Sequence, residues 1–230
     1  MRKIQRLAAV GAAAVLTAVV GACSNAQEPA IGGQPNEAPI SSPSTVPGNE
    51  ATASKGGGVT QISNIFGPAC DQIPREGDGS AQGMVDDPVA TAAGHNPQLT
   101  TLTKAIKVAN LGDTLNSAPT LTVFAPADSA FQQFEAKNPG MLNRLTTASD
   151  AASTEGQLAK ILKYHVVGQR YDAAGLVQAG TVESLQGGNI KIGGTPAAPT
   201  VNGAQVMCGN IPTKNATVFV IGQVLSPPAT

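Results

Sequence analysis

The chain has 230 residues, of which 41% are hydrophobic, 13% charged and 3% aromatic, with 26 Gly and 17 Pro. That apolar share supports one large packed domain or two small ones, while Gly and Pro together exceed the average of about 12%. A formal charge of -1 leaves no basic surface for phosphates, two His and three Cys cannot build a zinc cluster, and five Phe, two Tyr and no Trp make no stacking platform for bases or sugars.

The N-terminus, Met1-Arg2-Lys3-Ile4-Gln5-Arg6, carries three positive charges and no acid. Residues 7–22 are uncharged and apolar. As a helix they would span about 24 Å, short of the roughly 30 Å hydrocarbon core. A basic start and a short apolar run describe an export signal. Val20-Gly21-Ala22-Cys23 resembles the bacterial lipobox. The resemblance implies that residues 1–22 are removed and that the Cys23 sulfur takes up diacylglycerol; a plain secretory signal with a chance Cys is the alternative. Losing Arg2, Lys3 and Arg6 takes the formal charge from -1 to -4. Contact with the membrane is then expected from the lipid anchor, not from the charge of the domain.

Residues 24–58 contain 5 Pro, 6 Gly and 5 Ser and no aromatic residue. This composition buries too little apolar surface to offset chain entropy. The segment is read as a disordered tether that reaches ~30–35 Å. The expected organisation is a signal over 1–22, a lipidated Cys23 and tether over 23–58, and one domain over 59–230.

Within the domain, Leu99, Leu102, Ile106 and Ala109 have helical spacing over 97–111, with Pro97 at the start. Residues 121–125 are a short strand ended by Pro126. Pro139 opens a second helix with Met141, Leu142 and Leu145 inward. A third carries Leu158, Ile161 and Leu162, with Ser153 or Thr154 as its cap. It runs into Tyr164-His165-Val166-Val167. Strands are expected at 181–185, 190–192, 200–201, 204–207 and 217–225, with a turn at Gly187-Gly188-Asn189. Helices first and strands second predict an α+β domain.

Export would place Cys70 and Cys208 in an oxidising compartment, where two remaining cysteines pair. They are 138 positions apart, a loop whose closure stabilises by at most roughly 5 kcal/mol in the chain-entropy model. A redox or nucleophilic thiol is the alternative, although no CxxC is present and no His is near either Cys in sequence.

Thr122-Val123-Phe124-Ala125-Pro126-Ala127-Asp128-Ser129-Ala130-Phe131 resembles the first signature segment of the fasciclin-like domain. Leu162-Lys163-Tyr164-His165-Val166-Val167 resembles its central Tyr-His motif, and residues 201–206 and 217–225 resemble its closing strands. The resemblance spans about residues 84–226. With the lipobox, tether and cysteine pair it is similar to the fasciclin-domain surface lipoprotein antigens of mycobacteria and related actinobacteria. It implies a single domain of helices packed on a β-sheet, displayed outside the cell membrane for adhesion to protein, matrix or envelope material. Asp128 is expected to cap the helix that carries Phe131 and Phe134. His165 is expected at a buried junction, making structural hydrogen bonds, with a Tyr164–His165 contact to a partner as the alternative.

No motif for chemistry appears. There is no G-x-S-x-G, H-E-x-x-H or phosphate-binding loop, and no cofactor is implied. Asp86-Asp87 before Pro88 reads as a solvated turn, and His95 as an exposed turn residue. Asn215-Ala216-Thr217 matches a glycosylation sequon. The function expected is a membrane-anchored extracellular binding module that is not an enzyme; the alternative is a carrier of a small apolar or lipid ligand in the envelope.

Overall fold

The computed structural model describes residues 60–228; the expected signal, Cys23 and the tether lie outside the described residues. Two 3-10 turns, Ile62–Asn64 and Cys70–Gln72, come first among the described residues. Four helices follow: α1 Ala81–Val85, α2 Val89–His95, α3 Thr100–Val108 and α4 Gly112–Ser117. Then come β1 Leu121–Pro126, α5 Asp128–Lys137, α6 Met141–Thr147, α7 Gln157–Tyr164, β2 Val166–Val167 and α8 Ala173–Ala179. The chain ends in β3 Thr181–Glu183, β4 Asn189–Thr195, β5 Ala198–Val201, β6 Ala204–Pro212 and β7 Ala216–Ile221.

The seven strands lie in the order β2-β1-β7-β6-β5-β4-β3. Only β1 and β7 run parallel, with Phe124 opposite Phe219 and Thr122 opposite Thr217. A bridge from Val167 to Ser184 joins the two outer strands, and Leu185 N–H donates to Val166 O at 2.7 Å. The sheet thus curls into a barrel, which leaves few open edges.

Side chains of β1 and β7 divide between two cores. Leu121, Val123, Ala125, Ala216, Val218 and Val220 meet the helices, where Leu102, Ile106, Leu158 and Leu162 point. Phe124, Phe219 and Ile221 face the barrel interior with Leu176, Ile190 and Val201. Every residue of both strands is buried. Near-continuous apolar runs are what a doubly covered parallel pair requires.

Several elements differ from the sequence reading. α1, α2, α4 and α8 were not anticipated, because five to seven residues are too few to show a periodicity. Two carry readable caps. The Ser80 hydroxyl accepts from Gly83 N–H at 3.0 Å, and Asp172 Oδ1 from Gly175 N–H at 2.7 Å. α3 begins at Thr100 rather than Pro97, since Asn96 Oδ1 accepts from Gln98 N–H at 2.9 Å and holds 96–98 in a turn. Neither Ser153 nor Thr154 caps α7; Asp150 Oδ2 accepts from Gln157 N–H at 3.1 Å. β7 stops at Ile221, four residues before the expected end.

The segment before α1 that contains both 3-10 turns, residues 60–73, forms an N-terminal strap fastened to β6. Phe66 and Gly209 exchange backbone hydrogen bonds at 3.3 and 2.8 Å. A Cβ on Gly209 would lie 2.5 Å from the Phe66 ring, so this crossing needs glycine. Next to it the Cys70 and Cys208 sulfurs are bonded, with Cα atoms 5.0 Å apart. Replacing both cysteines by Ser is expected to cost about 2–5 kcal/mol in urea unfolding. Reductant should lower the wild-type midpoint and leave that of the double variant unchanged.

Candidate functional site

The first signature segment is a structural hub. The Thr122 hydroxyl is fully buried, donates to Gln169 O at 2.7 Å and accepts from Tyr171 N–H at 2.8 Å. It thereby ties β1 to the loop after β2. Phe124 and Phe219 sit with ring centroids 6.0 Å apart and planes tilted by 44°, a separation at which aromatic pairs add stability. Pro126 ends β1 opposite Ile221, and Phe131 packs into the helical core.

Asp128 caps a different helix from the one expected. It is the first residue of α5, whose cap position is Ala127. Its carboxylate reaches α3 instead and accepts from Thr101 N–H at 2.8 Å, Thr100 N–H at 3.3 Å and the Thr100 hydroxyl at 2.8 Å. Asp128 N–H donates to Gln98 O at 2.9 Å. Partial burial alone would raise the carboxyl; the donors from Thr101 and Thr100 outweigh it and hold it below the ordinary carboxylate value. Helical periodicity carries no information about a cap borrowed from 27 residues away.

Tyr164 and His165 are both enclosed, at 2% and 3% exposure. The Tyr164 hydroxyl donates to Asn189 O at 2.9 Å and accepts from Asn202 Nδ2 at 2.9 Å. His165 ends α7. Its Nδ1 lies 2.8 Å from Ile161 O, and its Nε2 accepts from Leu225 N–H at 2.9 Å. These contacts place the proton on Nδ1. A partner reaches either ring only if the fold opens, so the pair holds α7, β4 and the C-terminal segment together.

Three asparagines play roles that the sequence reading missed. Asn215, in the sequon, is 8% exposed. Its Oδ1 accepts from Val89 N–H at 2.9 Å, and its Nδ2 donates to Leu115 O and Ala118 O at 2.8 and 2.9 Å. The amide is committed to the ends of α2 and α4. Asn210 sits in the left-handed region at φ 58, within an irregular stretch of β6. It accepts from Ala173 N–H and donates to Asn64 O, bridging α8 and the strap. Asn202, with Gly203, turns β5 into β6 at φ 48 and 83; the Asn-Gly pair was a legible hairpin signal. Arg170 is buried with no carboxylate partner among the described residues, and its guanidinium donates to Thr213 O and Ala216 O.

The outer surface is simpler. Asp86 is exposed, and Asp87 lies 3.2 Å from the exposed His95, which closes α2 rather than a turn. A shallow groove of about 470 Å³ runs past Thr101, Gln132, Pro139 and Leu142. Among the described residues no group of three or more His, Cys, Asp or Glu could hold a metal ion, and no helix is long and apolar enough to cross a membrane.

Two outcomes follow from this geometry. Asp128→Ala should lower stability by about 1–2 kcal/mol in denaturant unfolding, because the α3 N-terminus loses its cap. Burial pushes the His165 imidazole down to about 4, against a weaker opposing pull from the Ile161 carbonyl. Between about pH 6.5 and 4 the unfolded chain binds a proton that the folded chain refuses. This contribution is full above 6.5 and is lost as pH falls to about 4, up to about 3 kcal/mol. Stability measured across that range should fall less steeply in His165→Asn.

Comparisons with known proteins agree with this architecture. The family model for the fasciclin domain matches residues 97–227. Immunogenic protein MPB70 of Mycobacterium bovis is 40% identical over 174 residues, 72% of this chain and 84% of that protein. Cell surface glycolipoprotein MPB83 of Mycobacterium bovis is 34% identical over 231 residues, 96% of each chain. A solved FAS1 domain pair from the insect cell adhesion molecule Fasciclin I has a TM-score of 0.55 at 19% identity, covering 63% of this chain. The match spans about half of that domain pair, 52% of its length, and is a likeness of fold. A sheet curled into a barrel with helices packed on its β1–β7 face is therefore the fasciclin fold, and the chain belongs to the fasciclin-domain family.

Proposed function

We propose that the chain is a lipid-anchored, non-catalytic binding module on the outer face of the cell membrane, contacting host, matrix or envelope material. The observation that carries this is the alignment with the cell surface glycolipoprotein, which covers 96% of both chains. It therefore takes in most of the N-terminal segment that contains the lipobox and Cys23. Cleavage before Cys23 would leave a tether over 24–58 ahead of the domain.

The domain supports surface contact better than carriage. Two apolar cavities behind the helices measure about 20 and 40 Å³. Each has room for about one to three waters, whereas ligand pockets run to roughly 300–1,000 Å³, and the groove of about 470 Å³ past Thr101 and Leu142 is a shallow surface feature, not an enclosed pocket. The exterior offers two charged stretches of opposite sign. Asp71, Glu76, Asp78 and Asp86 are exposed ahead of α2, with Arg75 among them leaving a net acidic stretch, and Lys104 and Lys107 are exposed on α3. Contacts through such charges weaken with salt.

The mature protein should bind cells, matrix protein or envelope extract saturably, and binding through the charged stretches should decline between 50 and about 300 mM salt. Absence of saturable binding to all three would refute the reading. Cys23→Ala should move the protein from the membrane fraction to the soluble fraction without altering the domain's unfolding midpoint.

A further inference from the structure

The shallow groove of about 470 Å³ lies along α5. Asp128, Gln132, Glu135 and Ala136 share one stripe of that helix at its lining, with the buried Phe131 beside them. Pro139 and Leu142, from the turn after α5 and the first turn of α6, add apolar surface. Asp128 and Glu135 are two helical turns apart, about 10 Å along the axis. The groove therefore has an acid near each end and apolar side chains between.

Each carboxylate is positioned by the backbone of a neighbouring helix. Asp128 caps α3. Glu135 does the same for α6: one oxygen accepts from Gly140 N–H and the other from Leu142 N–H at 3.1 Å. These donors fix the two acids but bring no formal charge. Among the described residues neither acid forms an ion pair, and no Lys, Arg or His lines the groove. A carboxylate offers about four acceptor sites. Asp128 uses three and Glu135 two. Both keep an acceptor site and an unneutralised charge at the groove.

We infer that this groove is a docking site for a basic peptide segment in the polyproline II conformation, with Arg or Lys at two positions three apart and apolar residues between them. Charge complementarity selects the basic residues, and the apolar lining selects what separates them. The conformation follows from spacing. Polyproline II rises about 3.1 Å per residue with three residues per turn. Side chains i and i+3 therefore leave the same side about 9 Å apart, close to the separation of Asp128 and Glu135 along α5. A β-strand would send them to opposite faces. Proline-rich segments hold this shape before binding, which lowers the ordering cost. The site rests on the reading of the chain as a binding module and gives that module one partner chemistry.

The test uses the full chain with Cys23→Ala and a fluorescein-labelled peptide, Gly-Arg-Pro-Leu-Arg-Gly, followed by anisotropy at low salt. Saturable binding is expected. Glu135→Gln keeps the side-chain size, removes one charge and should weaken binding about fivefold. Gln132→Arg sets a cation in the middle of the groove, leaves both caps intact and should abolish binding. Unfolding midpoints check that each variant is folded. Should Glu135→Gln lower the midpoint, Gln132→Arg decides alone. A peptide with Glu for both Arg should not bind, and one with the two Arg adjacent should bind about fivefold more weakly. No saturable binding to the parent chain, or equal binding to folded Gln132→Arg, overturns the site. Equal binding of the adjacent-Arg peptide overturns the spacing and the conformation with it. Absent peptide binding alongside saturable binding to matrix protein or envelope extract removes the groove and leaves the broader reading standing. Absence of both removes both.

Discussion

The parallel contact between β1 and β7 is the constraint on which the rest of the domain depends. It joins segments about 95 positions apart and is covered on both faces. Because side chains alternate along a strand, each of the two strands must feed two cores at once. Val123 and Val218 serve the helical layer, while Phe124 and Phe219 serve the barrel. A shift of one residue in this pairing would exchange the two sets and place Phe rings where the helices leave room for Val and Ala. Register is therefore strongly specified. The position of α5, which follows β1 directly, is specified with it.

A second constraint is polar. Burying both faces of a strand pair leaves irregular backbone at its ends, and those groups need partners. Short polar side chains supply them. Thr122 satisfies the loop after β2, Asn215 the ends of α2 and α4, and Asn210 the strap and α8. Each connects elements distant in sequence, so each is both a hydrogen-bond donor or acceptor and a fastener. Tyr164 and His165 belong to the same class. Their hydroxyl and ring nitrogens are occupied within the chain. Of these groups His165 is the one whose bonding pattern depends on protonation, so the α7–C-terminal junction is acid-sensitive, as is the α3 cap made by the Asp128 carboxylate.

Among the described residues enclosed space is small and the signature residues face inward, so the surface left open to solvent is the outside of the helices, the strap and the loops. The disulfide to β6 holds the strap covalently. The C-terminal segment is held by the buried Leu225, by Val224 packed against the helical core and by one hydrogen bond.

By itself the sequence determined the α+β class, the strand at β1, the helical stripes of α3, α6 and α7, and the fasciclin resemblance, since these rest on local period and contiguous motif. It also identified Cys70 and Cys208 as a candidate pair by elimination. Tertiary structure alone decided the rest. The short helices α1, α2, α4 and α8 are held by their packing and caps, not by a stripe long enough to read. Asp128 was legible as a cap but not as the cap of α3, because the helix it serves lies 27 residues upstream. The same holds for Asn215, which reads as a sequon and acts as a clasp, and for His165, whose partner Leu225 is 60 positions away. Periodicity reports which side of an element is buried; only the folded chain brings together the donors and acceptors that burial leaves without water.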